Sequence, residues 1–344
     1  LSLEFRHIAH SYGGSAALED VSLAAPAGEI TCLLGSSGCG KSTLLNLAAG
    51  LLPVQQGTIH VGEELLADPV TNPPPEKRPV GLMFQDGALF PHMTVSQNVA
   101  FGLSGSDKAT VEAWLEQVGL AGLGERYPHQ LSGGQQQRAA LARAMAAEPE
   151  VLLMDEPFAS VDVVLRRSLR RECRAVLRGR GATVLMVTHD PEEALDIGDR
   201  IAVMEAGRIV QIGTPQELYD SPASARVGSI FHGAQLISAK RIGEVLETDF
   251  ARWPVTAIAG TVPAEGPCEL LLRPECFDVR ATSEAEGALT LRDVRHMGPA
   301  RQLVFANGSG SEMTIDQHGA SDLHLGSHYV VTPQSASILA FASK

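Results

Sequence analysis

The run GSSGCGKST, Gly35 to Thr43, spaces two glycines, a lysine and a hydroxyl as G-x-x-x-x-G-K-[ST]. Glycine lets such a loop turn back so that successive N–H groups face inward. With the N-terminus of a following helix, those groups hold anionic phosphates. Lys41 then reaches the β- and γ-phosphates, and Ser42 turns its hydroxyl to Mg²⁺. Three apolar runs end in polar residues suited to the same chemistry: VLLMDE in Asp155 and Glu156, VLMVTH in His189, and VGLMFQ in Gln85. Asp155 is expected to hold Mg²⁺ through water, and Glu156 to act as the general base that orients and polarises an attacking water. His189 is expected to donate to the γ-phosphate. Neighbouring strand residues point to opposite faces, yet at a strand's end both carboxylates can reach a site just above it.

LSGGQQQRAALARAM, Leu131 to Met145, repeats the layout of a phosphate site. Ser132 and Gln135 have the spacing of a capping box, which predicts the start of a helix. Gly133 and Gly134 leave N–H groups at that start with little side-chain cover, open to a phosphate. One chain thus carries two phosphate sites, and a single nucleotide cannot easily use both.

These residues need a sheet to carry them. ITCLL, VLLM and TVLMVT are continuous apolar runs, as expected for strands covered on both faces. LSLEFRHIAHSY alternates and reads as a half-buried strand, and GTIHVG as another short one. A helix opens at about Lys41 and stops near Gly50, a C-terminal cap. DPVTNPPPEKRP must be a loop, because three successive prolines continue neither helix nor central strand. Residues 86–150 read as mostly helical. A basic helix runs to about Leu177, PEEALDI reads as a helix, and RIAVME and RIVQIG as strands. Strands alternating with helices predict an α/β fold with a sheet layered by helices. Beyond about residue 235, CELLLRP, CFDVRA, ALTLRDV, RQLVFA and HYVVTP are short strand-like runs between Gly, Pro and Asn. They predict a small β-barrel domain over 236–344, after a nucleotide-binding domain over 1–235.

Composition fits two domains. The 344 residues are 44% hydrophobic and 19% charged, enough for a sizeable core and unlike a disordered chain. The net charge of −13 argues against sequence-independent nucleic-acid binding, despite a basic patch over 166–180. Five cysteines, an odd number without C-x-x-C, indicate neither a disulfide framework nor a zinc ribbon and suit a reducing cytoplasm. The start, LSLEFRHIAH, lacks the basic and apolar regions of a signal peptide, and no run approaches the ~18 apolar residues of a span. Contact with a membrane is therefore expected through a partner.

Together these motifs resemble the ATP-binding-cassette ATPases, and the likeness covers residues 1 to about 235. It implies the P-loop cassette fold, a mixed sheet with a helical subdomain, and the cofactors ATP and Mg²⁺. Tyr12 in SYGG matches the aromatic residue that stacks on adenine. GSSGCGKST matches the phosphate loop, with Ser36, Ser37, Gly38, Cys39, Gly40, Lys41, Ser42 and Thr43 around the phosphates. Gln85 matches the Q-loop, which implies a Mg²⁺ ligand beside Ser42 and Asp155. LSGGQ matches the signature, SVD with Asp162 the D-loop, and THD the switch histidine. LSGGQ followed by LLMDEP is very specific to this family. The likeness also implies a homodimer, in which Ser132, Gly133, Gly134 and Gln135 face the phosphate loop of the other subunit.

PPPEKRPVGLMFQDGALFPHMTVSQNVAFGL and GTPQELYDSPAS are similar to importers driven by a periplasmic or extracellular solute-binding protein. Their ATPases carry a C-terminal regulatory β domain, in which LLLRPE is a recurring run. The likeness is strongest to the ferric-iron importers; maltose, polyamine, sulfate and glycerol-phosphate importers share nearly every motif. It implies integral membrane permease partners and a place on the cytoplasmic face of the membrane. Gly87, Val161 and Pro79 depart from the family's usual residues, and the segment holding Gly87 contacts the permease in that family.

Other readings fit less well. A GTPase needs a guanine-reading N-K-x-D, and none is present. A small-molecule kinase shares the phosphate loop but not LSGGQ. Chromosome-maintenance and DNA-repair ATPases split the cassette with a long coiled coil, for which this chain has no room. Translation factors of the family usually hold two cassettes in one chain. A sensor role for the C-terminal domain would need a ligand site. His318, His324 and His328 are read there as solvated loop histidines, because their spacing fits no closed metal site.

Overall fold

The computed structural model describes residues 1–344 except 104–107, 232, 284–287, 297–299, 319–322, 336 and 343–344. The chain divides into two compact units, Leu1–Asp220 and Ser221–Lys344. The boundary expected from sequence stood at 235/236. The short helix Ala225–Ser229 packs against a strand of the second unit and accounts for the difference.

In the first unit β1 (Leu3–Tyr12), β2 (Ser15–Ala25) and β3 (Ile30–Leu34) lead to α1 (Lys41–Ala49). Then come β4 (Gln56–Val61), β5 (Glu64–Ala67) and β6 (Val80–Met83), followed by α2 (Val95–Ala100), α3 (Lys108–Gln117) and α4 (Gly133–Ala146). The unit continues with β7 (Val151–Asp155), α5 (Val163–Gly179), β8 (Thr183–Thr188), α6 (Pro191–Ile197), β9 (Arg200–Glu205), β10 (Arg208–Gly213) and α7 (Pro215–Asp220). Strands β2-β1-β4-β5 form an antiparallel sheet, and β10-β9-β3-β8-β7-β6 a six-stranded sheet that is parallel except at β10.

The apolar runs take the central places. Every residue of β3 and β8 is buried, as are the first four of β7. Both alternating sets are therefore covered, which only a strand with neighbours on both faces achieves. Leu33, Leu153, Leu185 and Val187 share one core with α1 and the antiparallel sheet. Helix α1 packs on β6, β7 and β8, and α6 on β3 and β8.

The expected helical region is less helical than read. Among the described residues, 86–150 hold three α-helices and a short 3-10 turn, and the loop before the first helix is fixed by a side chain in addition to a backbone bond from Met93 to Phe90. Fully buried Asn98 donates to the carbonyls of Phe90, Met93 and Thr94 and accepts the Phe90 N–H at 2.8 Å. The basic helix α5 is balanced along its length: Arg166 and Arg170 meet Asp190, and Arg174 and Arg178 meet Asp199.

In the second unit α8 (Ala225–Ser229) precedes β11 (Gln235–Ile242), β12 (Val245–Thr248), β13 (Arg252–Pro254), β14 (Gly266–Leu272) and β15 (Phe277–Ala281). Strands β16 (Leu289–His296), β17 (Ala300–Ala306), β18 (Glu312–His318), β19 (His328–Pro333) and β20 (Leu339–Ala342) complete it. The expected small β domain is built as two five-stranded sheets, β13-β12-β11-β14-β20 and β15-β19-β16-β17-β18, around one core that includes Trp253, Leu270, Leu291 and Phe305. His318 and His328 fall in strands rather than loops; the side chain of His318 lies outside the described residues. His328 Nδ1 is 3.3 Å from Thr290 Oγ1, and the His324 N–H donates to the Tyr329 hydroxyl at 2.8 Å. Among the described residues no group of three or more His, Cys, Asp or Glu could hold a metal ion, and no helix is long and apolar enough to cross a membrane.

Candidate nucleotide site

The parallel strands end level with one another. Leu34 of β3 pairs with Thr188 of β8, Val187 of β8 with Asp155 of β7, and Met154 of β7 with Met83 of β6. Everything that follows these positions emerges along one edge of the sheet, where open α/β sheets bind ligands.

After β3 the chain makes the phosphate loop and enters α1 at Gly40, whose φ is 107°. A Cβ there would lie 2.5 Å from the Ala17 carbonyl oxygen, so only glycine fits. Lys41 is buried at 5% exposure and folds its ammonium back into the loop. Its Nζ donates to the carbonyls of Gly35 at 2.8 Å and Ser36 at 2.9 Å and approaches Cys39 Sγ at 3.8 Å. The loop thus encloses a fixed cation next to a helix N-terminus, a combination that suits an anion. Ser36, Ser37 and Gly38 are exposed at its tip. Tyr12 stands beside the loop, its hydroxyl 3.5 Å from Thr43 Oγ1 and its ring half exposed and edge-on to His10.

Ser42 Oγ donates to Asp155 Oδ1 at 3.4 Å, which joins the first turn of α1 to the end of β7. Burial, and next the neighbouring Glu156, raise the Asp155 carboxyl above its ordinary value; the Ser42 bond and Lys41 partly offset this. A hydroxyl and a carboxylate are hard oxygen donors. Mg²⁺ takes one or two protein carboxylates and completes its shell with phosphates and water, so this pair fits it.

Glu156 escapes the strand alternation because the chain turns there: its φ is +42°, the left-handed region, uncommon for a non-glycine residue. Its N–H donates to the Val187 carbonyl at 3.0 Å, and its Oε2 lies 3.0 Å from His189 Nδ1. The strained turn brings both carboxylates and the histidine to one edge. Gln85 lies just beyond the end of edge strand β6 with its side chain exposed. Among the described residues it makes no hydrogen bond to Ser42 or Asp155.

Ser132 and Gln135 form the expected capping box at the start of α4, with bonds of 3.0 and 3.4 Å. Ser132 and Gly133 are exposed, and among the described residues no hydrogen bond joins Ser132–Gln135 to the phosphate loop. Asp162 caps α5, its Oδ1 accepting the Val164 N–H at 2.9 Å.

Sequence reasoning missed the residues that join these loops. Gln137, 2% exposed on α4, donates to the Gln85 carbonyl at 3.2 Å and to Ser160 Oγ at 3.0 Å. Arg143, on the same helix, donates to the carbonyls of Ala88 at 2.7 Å and Gly87 at 2.8 Å and lies over the Phe90 ring. Gly87 itself has φ +66°, and a Cβ there would sit 3.2 Å from that of Ala140 on α4, so the backbone explains this departure. Arg78 donates to the Leu47 and Ala48 carbonyls at 2.7 and 2.9 Å, which ties the proline-rich loop to the end of α1. For Gln137 and Arg143 the sequence signal was a polar side chain on a helix with many apolar residues; Arg78, in the proline-rich loop, carried none.

The sequence profile of the family described as "ABC transporter" matches residues 18–159. The Fe(3+) ions import ATP-binding protein FbpC of Pseudomonas fluorescens is 40% identical over 340 residues, 98% of this chain and 92% of its own. The sulfate/thiosulfate import ATP-binding protein CysA of Ralstonia nicotianae is 39% identical over 363 residues, 99% of this chain and 96% of its own. An FbpC of Brucella abortus is 42% identical over 325 residues, 92% of this chain and 90% of its own. Such likeness along nearly the whole chain matches the phosphate loop and the carboxylate pair at the sheet edge, and the chain belongs to the ABC transporter family as an ATP-binding, ATP-hydrolysing subunit.

Proposed function

We propose that this chain powers a binding-protein-dependent importer, working as a homodimer against integral membrane permease subunits on the cytoplasmic face of the membrane, with ferric iron as the solute. The observation that carries the hydrolytic part is the convergence of Lys41, Ser42, Asp155, Glu156 and His189 at the level ends of three adjacent strands.

Tyr12 offers its exposed face to adenine. The loop N–H groups from Ser36 to Thr43 and the Lys41 ammonium bind the phosphates, the lysine exchanging its own loop carbonyls for phosphate oxygens. Ser42, Asp155 and Gln85 would hold Mg²⁺, which when bound would neutralise charge on the phosphate oxygens. Glu156 accepts a proton from water as the water oxygen attacks the γ-phosphorus. The bond to the β,γ-bridging oxygen breaks, its electron pair leaves with ADP, and inorganic phosphate is released. His189, held at Nδ1 by Glu156, directs its other ring nitrogen to a γ-phosphate oxygen. Ser132, Gly133, Gly134, Gln135 and Asp162 complete the site of the partner subunit, so that two ATP molecules are each held between two chains. ATP drives closure because it binds the closed dimer better than the open one.

The printed names of two of the relatives above support ferric iron, and the sulfate/thiosulfate relative, similar over 96% of its own length, supports a second reading. The test is to purify the chain with its permease and ask whether binding protein loaded with Fe³⁺ or with sulfate stimulates ATP hydrolysis. Stimulation by the Fe³⁺ form alone supports ferric iron, and stimulation by the sulfate form alone supports the second reading. Stimulation by neither, with activity on DNA ends or ribosomes, overturns the importer reading.

A further inference from the structure

Behind the Glu156–His189 pair lies a small cavity of about 70 Å³, lined in part by Glu156, Phe158, Thr188, His189, Asp190 and Glu193. Glu193 has no place in the chemistry above, yet it is 4% exposed and among the most deeply buried charged residues. Its Oε2 accepts the Thr188 hydroxyl at 2.5 Å, while Oε1 is buried with no partner among the described residues. The same Thr188 oxygen accepts the Asp190 N–H at 3.0 Å. Thr188 spends its one hydroxyl proton on Glu193 and a lone pair on Asp190. The two residues flanking His189 are thereby locked to each other and to one carboxyl.

Asp190 is fixed from its other side as well. Its Oδ1 caps α6 by accepting the N–H groups of Glu192 and Glu193 at 3.0 and 3.4 Å, and its Oδ2 takes Arg170 at 2.5 Å. The backbone that carries His189 is therefore held at both ends, and the imidazole meets Glu156 at 3.0 Å as a result. A buried carboxyl is unfavourable unless something requires it. Here an apolar residue of similar size would fill the space but release the Thr188 hydroxyl.

We propose that Glu193 is a positioning residue for His189, acting through the Thr188 hydroxyl to set the turn that delivers the imidazole to Glu156 and to the γ-phosphate. This rests on the reading of Glu156 and His189 as the hydrolytic pair. The test compares five variants of the full chain by steady-state and single-turnover ATP hydrolysis and by ATP binding. Glu193→Gln keeps an acceptor for Thr188 and is expected to hold kcat within about twofold of wild type. Glu193→Ala and Thr188→Val both break the link; each is expected to lower kcat by about tenfold or more with ATP affinity unchanged. The Glu193→Ala/Thr188→Val double variant is expected to be no worse than Thr188→Val alone, because Glu193→Ala removes only a bond that Thr188→Val has already removed. Wild-type turnover in Glu193→Ala, a Gln variant as slow as the Ala variant, or additive losses in the double variant each overturn the proposal. Should Glu193→Ala fail to fold, Thr188→Val, which keeps the residue's shape, still breaks the link, together with the Asp190 N–H bond to the same hydroxyl. His189→Ala separates the two readings. If it is inactive while Glu193→Ala and Thr188→Val are normal, only the positioning role fails; if it is fully active, the hydrolytic pair itself fails.

Discussion

Gln137 reaches across from α4 to place its amide 3.2 Å from the backbone oxygen of Gln85, and the same nitrogen lies 3.0 Å from Ser160 Oγ. One buried side chain thus joins the helix that begins with LSGGQ, the segment after β6, and the turn before α5. In the proposed dimer Gln85 serves the chain's own nucleotide, whereas Ser132 serves the partner's. Gln137 ties the helix that carries Ser132 at its start directly to the backbone of Gln85. Gln137→Leu removes both bonds without opening a cavity and leaves two polar groups short of a partner. A loss of about 1–3 kcal/mol is expected, which slows hydrolysis by roughly 5- to 150-fold if it falls on the closed state. ATP affinity of the isolated chain should not change. Measured kcat and ATP titrations decide, and unchanged kcat would remove this role.

Glu156→Gln keeps the shape and the contact with His189 but cannot take a proton from water. General-base loss is worth about 10²–10⁴ in rate, so turnover should fall by that range while ATP still binds. The variant should also accumulate as an ATP-bound dimer, visible as a doubling of mass by light scattering when ATP is added. Hydrolysis near the wild-type rate would reassign the base.

Most of the candidate site's layout was legible in sequence because it sits in short, contiguous runs. Loop and helix start lie within nine residues from Gly35 to Thr43, directly after the end of β3, and the capping box of Ser132 needs only four. What could not be read joins distant segments: Gln137 to Gln85, Arg143 to Gly87, and Arg78 to Leu47. Such contacts depend on how elements dock, and a lone polar residue in an apolar face leaves its partner unspecified. The same cause explains the overestimate of helix in 86–150, where Asn98 holds a loop by bonds to carbonyls up to eight residues away. The turn at Glu156 is the opposite case. Sequence placed both carboxylates at one edge but not how, and the answer is a positive φ that no propensity favours.

Asp155 illustrates how the site trades stability for ligand binding. Its carboxyl is raised, chiefly by burial and then by Glu156, so the folded state holds its proton to higher pH than the unfolded state does. For this group stability is greatest at low pH and falls as pH rises from the ordinary carboxylate value through the raised one. Asp155→Asn removes that penalty. In the absence of nucleotide and Mg²⁺ its Tm at pH 7.5 should equal or exceed wild type, while Mg²⁺-dependent hydrolysis is lost. A large drop in Tm would show that the carboxylate is structural instead.

Glu193 should show the same sign over a wider window. Burial, the largest influence, pushes its carboxyl up to about 7, with the Thr188 bond and then Arg170 opposing, Asp190 adding to the rise and Arg166 lowering it. Stability carried by the neutral form is complete below about 4.5 and declines until the carboxyl is ionised above about 7. A shift of this size corresponds to at most about 3 kcal/mol. Glu193→Gln should therefore raise Tm relative to wild type at pH 8 and change it little at pH 4. Thermal scans at the two pH values test this, and an equal shift at both would exclude ionisation of Glu193 as the cause.

Ser132→Arg tests whether the second phosphate site belongs to another copy of the chain. Ser132 is exposed, and its capping bond to the Gln135 N–H, 3.4 Å, is weak, so the fold should lose only about 1 kcal/mol. ATP binding to the isolated chain should persist while hydrolysis is abolished. Mixing separates a shared site from an internal one. In a dimer of one Ser132→Arg chain and one Glu156→Gln chain, the first supplies Glu156 and the second supplies Ser132 to one intact site. The other site carries both defects. If chains exchange freely and sites fire independently, an equimolar mixture of two inactive proteins should recover roughly a quarter of wild-type activity, because half the dimers are mixed and each has one good site. Sites internal to one chain cannot be rescued in this way. A fully active Ser132→Arg protein would remove the case for the shared site.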